Sequence, residues 1–539
     1  MVLIRISLFI ASLSWLTQFL ALANDRLIVD TGYAMYRGNL SYPYAVAYLG
    51  IPYAEPPLGD RRFRTPVPLD TARIASEANG AVLDATSYPD FCIQGSTGAG
   101  DTGGAGSEDC LKVNIYSPIN GSSLPVLVYI HGGAYVYGNP ANFPFDHWVH
   151  QSPNVVIVSI YYRLSSFGFL AIPEFADTTN GDFNAGFLDQ IQALKWVKQH
   201  IAAFGGDPSR VTINGQSAGG SSVELHLVAH KDESLFSGAI VQSAYRAPLP
   251  LPEQQTPLFN FYSMRAGCGS GSLSSKLQCL REANVSALAR AQDAAAGGEF
   301  AGLYNAFHPV VDGKIFIEFP TISMALGHFA RVPLIVGATS NESYAPGHDI
   351  PSSLKILFPG LDEKDTDDYL VAYPSSDFDS EEQRLAAATG ESINRCCRQI
   401  LGSAYSNKGI NIWAYRYNQP NPTSGSPTIV AHAAENWMMF LGSDTGYNGS
   451  ATFSSMTPEE TAFSQELIAY WLSFVRAKNP NTFKLERSPA WDRFSLNKKR
   501  QIVLQQNSTT TSGSFLEVAD EKEVARCQFV AGKVEREQN

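Results

Sequence analysis

Residues 210–229 read RVTINGQSAGGSSVELHLVA. Arg210 to Asn214 reads as a strand and Ser221 to Ala229 as a helix, so Gly215-Gln216-Ser217-Ala218-Gly219 occupies a strand-to-helix corner. The glycines two before and two after the serine let the chain turn tightly and let the helix approach the strand, which lifts the Ser217 hydroxyl clear of the sheet. The backbone N–H of Ala218 then opens the helix, where it can face a developing negative charge. Working outward, PVLVYIH (125–131) and NVVIVSIYY (154–162) are near-continuous apolar runs bounded by turn residues, as expected of strands buried on both faces. Ala185 to Ala203 carries apolar residues at helical spacing and stops before the breaker Gly205-Gly206-Asp207-Pro208. Strand, turn, strand, helix, strand, corner and helix is the rhythm of an α/β protein with a large, mostly parallel central sheet flanked by helices.

A second feature supports nucleophilic chemistry at the corner. His131-Gly132-Gly133-Ala134 directly follows a buried strand, and its small residues allow backbone N–H groups to come within bonding distance of a substrate oxygen. Gly133, Ala134 and Ala218 are the candidate oxyanion donors. A serine hydroxyl also needs a base, and the base needs an acid to fix its tautomer. Among ten histidines, His131 reads as structural, beside the oxyanion loop. His226 and His230 lie one turn apart on the helix after the serine, but they lack the glutamate of a zinc-protease helix and a third ligand, so no metal site is expected. His432 lies on a turn-rich loop after the strand-like Ile412 to Tyr417, where this architecture needs its base. Glu342 follows a strand expected over Arg331 to Gly337, although spacing alone does not choose it over Asp312 or Glu318.

The 539 residues, 44% hydrophobic and 17% charged, suit a globular chain able to bury a large core. No separating linker is visible beyond Ala244, so residues 24–539 read as one domain with long insertions. The net charge of −12 and the lack of a basic patch argue against nucleic acid as a partner. Residues 1–23 combine Arg5, an apolar stretch and Ala21-Leu22-Ala23, the pattern of a cleaved secretory signal; no membrane span is expected after cleavage. Glycosylation sequons at Asn39, Asn120, Asn284, Asn448 and Asn507 agree with export, and a further one at Asn341 sits beside Glu342. Cys92 with Cys110, and Cys268 with Cys279, bracket short loops suited to local disulfides. Cys396, Cys397 and Cys527 remain, with one pairing and one free thiol left open.

The stretches GIPYAEPPLGDRRF, SEDCLKVNIYSP, PVLVYIHGGAYVYG, YYRLSSFGFL and NAGFLDQIQALKWVKQHIAAFGGDPSRVTINGQSAGG together resemble the type-B carboxylesterase family, the α/β-hydrolase branch that includes cholinesterases, fungal lipases and the inactive neuroligins. The likeness is strong over residues 45–245 and thinner to about residue 480. It implies an α/β-hydrolase fold and a catalytic triad of Ser217, Glu342 in GATSNES and His432 in AHAAE. It also implies an oxyanion hole from Gly133, Ala134 and Ala218, and the disulfides Cys92–Cys110 and Cys268–Cys279.

This sequence departs from the family pattern at Gln216, where glutamate is usual, at Ser343, where glycine is common, and at Ala134, which replaces the third glycine of the oxyanion run. Cholinesterases place a tryptophan in the first disulfide loop to hold a quaternary ammonium, whereas the segment from Cys92 to Cys110 contains no aromatic residue. The same loop forms an amphipathic lid in interfacial lipases, and Gly95 to Gly106 has no apolar face to offer a lipid surface. The expectation is therefore a secreted hydrolase of soluble, modest-sized esters, requiring no cofactor. An acyltransferase using the same triad, or a binding protein of the neuroligin kind, are the alternatives.

Overall fold

The computed structural model describes residues 26–95, 106–230, 233, 235–297, 300, 307–342, 346–426, 428–445 and 451–539. The signal segment 1–23, most of the Gly95–Gly106 loop and the sequon at Asn448 lie outside the described residues.

The apolar runs become the middle of an eleven-stranded sheet among the described residues. In chain order its strands are β1 (Asn39–Tyr42), β2 (Ala45–Pro52), β3 (Lys112–Pro118), β4 (Leu124–Ile130), β5 (Val156–Ile160), β6 (Gly206–Gln216), β7 (Gly238–Gln242), β8 (Leu334–Thr339), β9 (Ile412–Tyr417), β10 (Arg500–Leu504) and β11 (Phe515–Val518). They lie side by side as β11-β10-β9-β8-β7-β6-β4-β5-β3-β2-β1. From β5 through β10 every pairing is parallel, while β1, β2 and β3 at one edge and β11 at the other are antiparallel. Every residue of β5, β7 and β8 is buried. Alternate side chains feed two apolar layers: Val126, Val128 and Ile130 pack into one face, Leu127 and Tyr129 into the other. This is why the runs lack an in–out alternation.

Helix α1 (Ala185–His200) and helix α2 (Ala218–Ala229) cover one face, and helix α3 (Ala434–Met439) with helix α4 (Pro458–Ala477) cover the other. The stretch between β4 and β5 is longer than a turn and holds a short helix at Asp146–Gln151. Two motif arginines act as struts. The Arg163 guanidinium grips the buried Asp189 of α1 at 2.7 Å through both Nε and Nη2, and Arg62 does the same to Glu108 beside the first disulfide. Removing one partner of such a buried pair typically costs about 3–5 kcal/mol.

Parallel register brings the carboxyl ends into one row, with Gln216 opposite Gln242 and Gln242 opposite Gly337. Ligand sites in open α/β sheets lie just beyond such ends.

Candidate active site

Ser217 follows the last residue of β6 and precedes the first turn of α2. Its backbone takes φ 59° and ψ −126°, a conformation that L-residues rarely adopt. The corner is held by bonds from Ser217 N–H to the Gln242 carbonyl (3.0 Å) and from Ser221 N–H to the Ser217 carbonyl (2.9 Å). The flanking glycines are sterically required: a Cβ on Gly215 would strike the Gly219 carbonyl, and one on Gly219 would strike the Ile130 carbonyl of β4. α2 can thus lie against the sheet only with glycine at these places. Glu342 (φ 47°), Ala433 (φ 63°) and Ala134 (φ 51°) also have positive φ, so strained backbone gathers around this one point, a pattern associated with functional sites.

The three residues singled out by sequence meet here from three different loops. The Ser217 hydroxyl lies 2.7 Å from His432 Nε2, and His432 Nδ1–H donates to Glu342 Oε2. Glu342 is fully buried, and its other oxygen accepts the Thr339 N–H at 2.8 Å. The alternative acids are engaged elsewhere. Asp312 accepts the N–H groups of Lys314, Ile315 and Phe316, and Glu318 bonds Ser323 and His328.

Electrostatics follow from this geometry. Burial pushes His432 down, but the Glu342 carboxylate and its hydrogen bond outweigh that and hold the imidazole above its ordinary value. Burial would raise Glu342, yet the facing imidazole and its hydrogen bonds keep the carboxyl below the usual glutamate value.

Gly133 shares the pocket with Ser217 and His432, Ala134 is the next residue in the chain, and Ala218 directly follows the serine as the first residue of α2. Their backbone N–H groups bond to no acceptor among the described residues. The loop that carries Gly133 and Ala134 is braced by a two-way amide clamp: Gln94, beside the first disulfide, donates to the Gly138 carbonyl (2.9 Å) and accepts its N–H (3.1 Å). His131 stacks on Tyr162 with ring centroids 4.5 Å apart, and burial holds it down to about 4, so it stays neutral as a structural ring. His226 stacks on Phe187 and bonds Gln190, which accounts for it as a core residue.

Several contacts were not anticipated. Gln216 Nε2 lies 3.4 Å from His432 Nε2, and its Oε1 accepts from Asn436 Nδ2 at 3.3 Å, so the uncharged Gln216 ties the corner to α3. Glu435, buried on α3, is pushed up to about 7 by burial and by the nearby Glu342. The adjacency of Glu435 and Asn436 to His432 in AHAAEN was the available signal.

Three disulfides join Cys92 to Cys110, Cys268 to Cys279 and Cys396 to Cys527, leaving Cys397 a buried thiol. Asn39, Asn120 and Asn284 are exposed; Asn507 is half-buried, with its amide bonded to Thr511. No helix among the described residues is long and apolar enough to cross a membrane.

A parallel sheet that turns into a helix through a strained serine, with an imidazole and a buried acid arriving from later loops, is the α/β-hydrolase fold. Residues 25–530 match the model of the carboxylesterase family, and the chain belongs to that family of carboxylic ester hydrolases. An acetylcholinesterase of Bungarus fasciatus is 28% identical over 538 residues, covering 91% of this chain and 84% of that protein. An acylcarnitine hydrolase of Mus musculus is 30% identical over 488 residues, covering 83% and 81%. Among solved structures, Aspergillus niger EstA superposes with a TM-score of 0.82 at 30% identity, over 95% of this chain and 99% of that one.

Proposed function

We propose that the protein is an exported serine esterase that works through an acyl-enzyme on Ser217. The observation that carries this reading is the continuous hydrogen-bonded line from the Ser217 hydroxyl through His432 to the buried Glu342. His432 Nε2 takes the hydroxyl proton as Ser217 attacks the ester carbonyl, and Glu342 holds the imidazole in the tautomer with hydrogen on Nδ1. The tetrahedral oxyanion receives hydrogen bonds from the N–H groups of Gly133, Ala134 and Ala218, each worth on the order of 10² to 10³ in turnover. The imidazolium then protonates the leaving alcohol, and water repeats the path to free the acid. Held above its ordinary value by the Glu342 carboxylate, His432 is a stronger base than a free imidazole.

Export is supported by the signal-like residues 1–23 and by three disulfides, which persist in oxidising compartments. On this reading residues 24–539 form one hydrolase domain, glycosylated at the exposed Asn39, Asn120 and Asn284. The test is p-nitrophenol release from acetate, butyrate and long-chain esters, with Ser217→Ala purified identically. Turnover that vanishes in the variant is expected; a folded wild type inert towards every ester, or an active variant, overturns the reading.

A further inference from the structure

The helix Glu381–Gly390 does not run straight into the helix Cys396–Asn407; the residues between them, Glu391–Arg395, form a π-helical turn. Such turns are rare and are frequent at functional sites. This one lies between the loop that carries Glu342 and the chain that leaves β7 beside Ser217.

On the first side stands Gly390. Its φ of −67° and ψ of −35° are ordinary helical values, so its conformation needs no glycine, and glycine is a poor helix former. What demands glycine is contact: a Cβ would lie 2.6 Å from the Asn341 carbonyl oxygen and 2.7 Å from that of Glu342. The bare Cα therefore sets how closely the acid loop approaches the helix. Glu342 holds its positive φ of 47° against this surface, and a strained residue keeps such a backbone only where its surroundings fix it. Asn341 carries the constraint on towards the base. Its N–H donates to the Val430 carbonyl (3.2 Å) and its Oδ1 accepts the Val430 N–H (2.8 Å), two residues before His432.

On the second side stands Asn394. Its Nδ2 donates to the carbonyls of Ser243 (3.1 Å) and Ala244 (3.0 Å), and the Ile393 carbonyl accepts the Arg246 N–H at 2.8 Å. Ser243 and Ala244 lie between two groups that hold the nucleophile: the Gln242 carbonyl accepts the Ser217 N–H (3.0 Å), and the Tyr245 N–H donates to the Ser217 carbonyl (3.3 Å). The turn itself is anchored at both ends. Arg526 grips the buried Glu391 through Nε (2.8 Å) and Nη2 (2.6 Å), and Cys396 is bridged to Cys527.

We propose that this π turn is the joint that sets the acid and base against the nucleophile, with Gly390 and Asn394 as its positioning residues. The inference rests on the esterase reading of Ser217, His432 and Glu342. A methyl on Gly390 would fall about 0.8 Å short of the 3.4 Å at which ordinary contact begins, and with the turn anchored the acid loop must give way. A misplacement of about 1 Å costs on the order of 10² in turnover, so Gly390→Ala should lower kcat for p-nitrophenyl butyrate on the order of 10- to 100-fold, with KM within about twofold. Asn394→Ala, which frees the chain between Gln242 and Tyr245, should lower kcat on the order of tenfold with the same small change in KM. Gly402→Ala is the control. Its Cβ would lie 2.9 Å from the Phe494 ring instead of the acid loop, so it should lower the melting temperature and leave kcat unchanged.

Kinetics are read well below the melting transition of each variant, with circular dichroism confirming the fold. A folded Gly390→Ala with wild-type kcat, a loss confined to KM, or an equal loss of kcat in Gly402→Ala overturns the inference and leaves the esterase reading standing. Should Gly390→Ala fail to fold, Asn394→Ala decides: a fall in kcat at unchanged KM supports the joint, and an unchanged kcat overturns it. A folded wild type without ester turnover removes the esterase reading and the inference with it.

Discussion

Glu342→Gln is the substitution that separates orientation from charge. Both carboxylate oxygens act as acceptors, Oε1 for the Thr339 N–H at 2.8 Å and Oε2 for His432 Nδ1–H. An amide has one oxygen. If it stays on Thr339, its NH₂ faces Nδ1 and forces the proton onto Nε2, where the imidazole can no longer accept from Ser217. If it flips, two donors confront each other at Thr339 in a fully buried place. A wrong tautomer of this kind costs about 10⁴ in kcat in a serine protease triad, and the same order is expected here.

The variant also has a pH signature. With the carboxylate gone, burial becomes the dominant influence on His432, so the imidazole should drop from above its ordinary value to below it. The acidic limb of kcat/KM, which requires neutral His432, should move down accordingly. Hydrolysis of p-nitrophenyl butyrate between about pH 5 and 9 reads both effects, with circular dichroism confirming the fold. A loss smaller than about tenfold, or an acidic limb that does not move, refutes the reasoning.

Three further outcomes follow from the packing. Gly219→Ala, whose Cβ would strike the Ile130 carbonyl, should lower stability by about 1–3 kcal/mol and abolish turnover, measured by denaturant melts and ester hydrolysis. Glu224 and Glu435 are both pushed up by burial to about 7, so the folded state holds protons that the unfolded chain has released. Their stabilisation is complete below about pH 4.5 and is lost as pH rises through about 7, on the order of 3 kcal/mol for each group. Glu435→Gln should therefore gain on the wild type in thermal melts as pH rises through this window, and a constant difference would contradict the assignment. Cys527→Ala, which opens a disulfide spanning 131 residues of sequence, should cost about 2–4 kcal/mol in melts under oxidising conditions.

The parts of the fold that could be read in advance are those where one local pattern controls the outcome. The buried runs became β4 and β5, the helical spacing after Ala185 became α1, and the Gly-x-Ser-x-Gly corner formed where glycine alone fits. β1 and β11 were not anticipated, because strands of four residues, all exposed in β1 and none buried in β11, carry no apolar periodicity. The meeting of Glu342 and His432 is a long-range fact. Nothing local distinguishes Glu342 from Asp312, and only the sheet order sets β8 beside β9.

The partner of Cys527 was closed to sequence for a similar reason. Cys396 and Cys397 differ by about 100° around one helix, and only the packing of that helix decides which sulfur meets Cys527. The amide link from Gln216 to Asn436 joins residues that are far apart in the chain, and no spacing rule connects them.

A covalent acyl group on Ser217 is directly visible by acid-quenched mass spectrometry of the enzyme during turnover of p-nitrophenyl butyrate. A mass increment of one butyryl group is expected, mapped by peptide fragmentation to the Gly215–Gly219 corner and absent from Ser217→Ala. Turnover with the acyl group on another residue, or a Ser217→Ala enzyme that still accumulates it, would contradict the account.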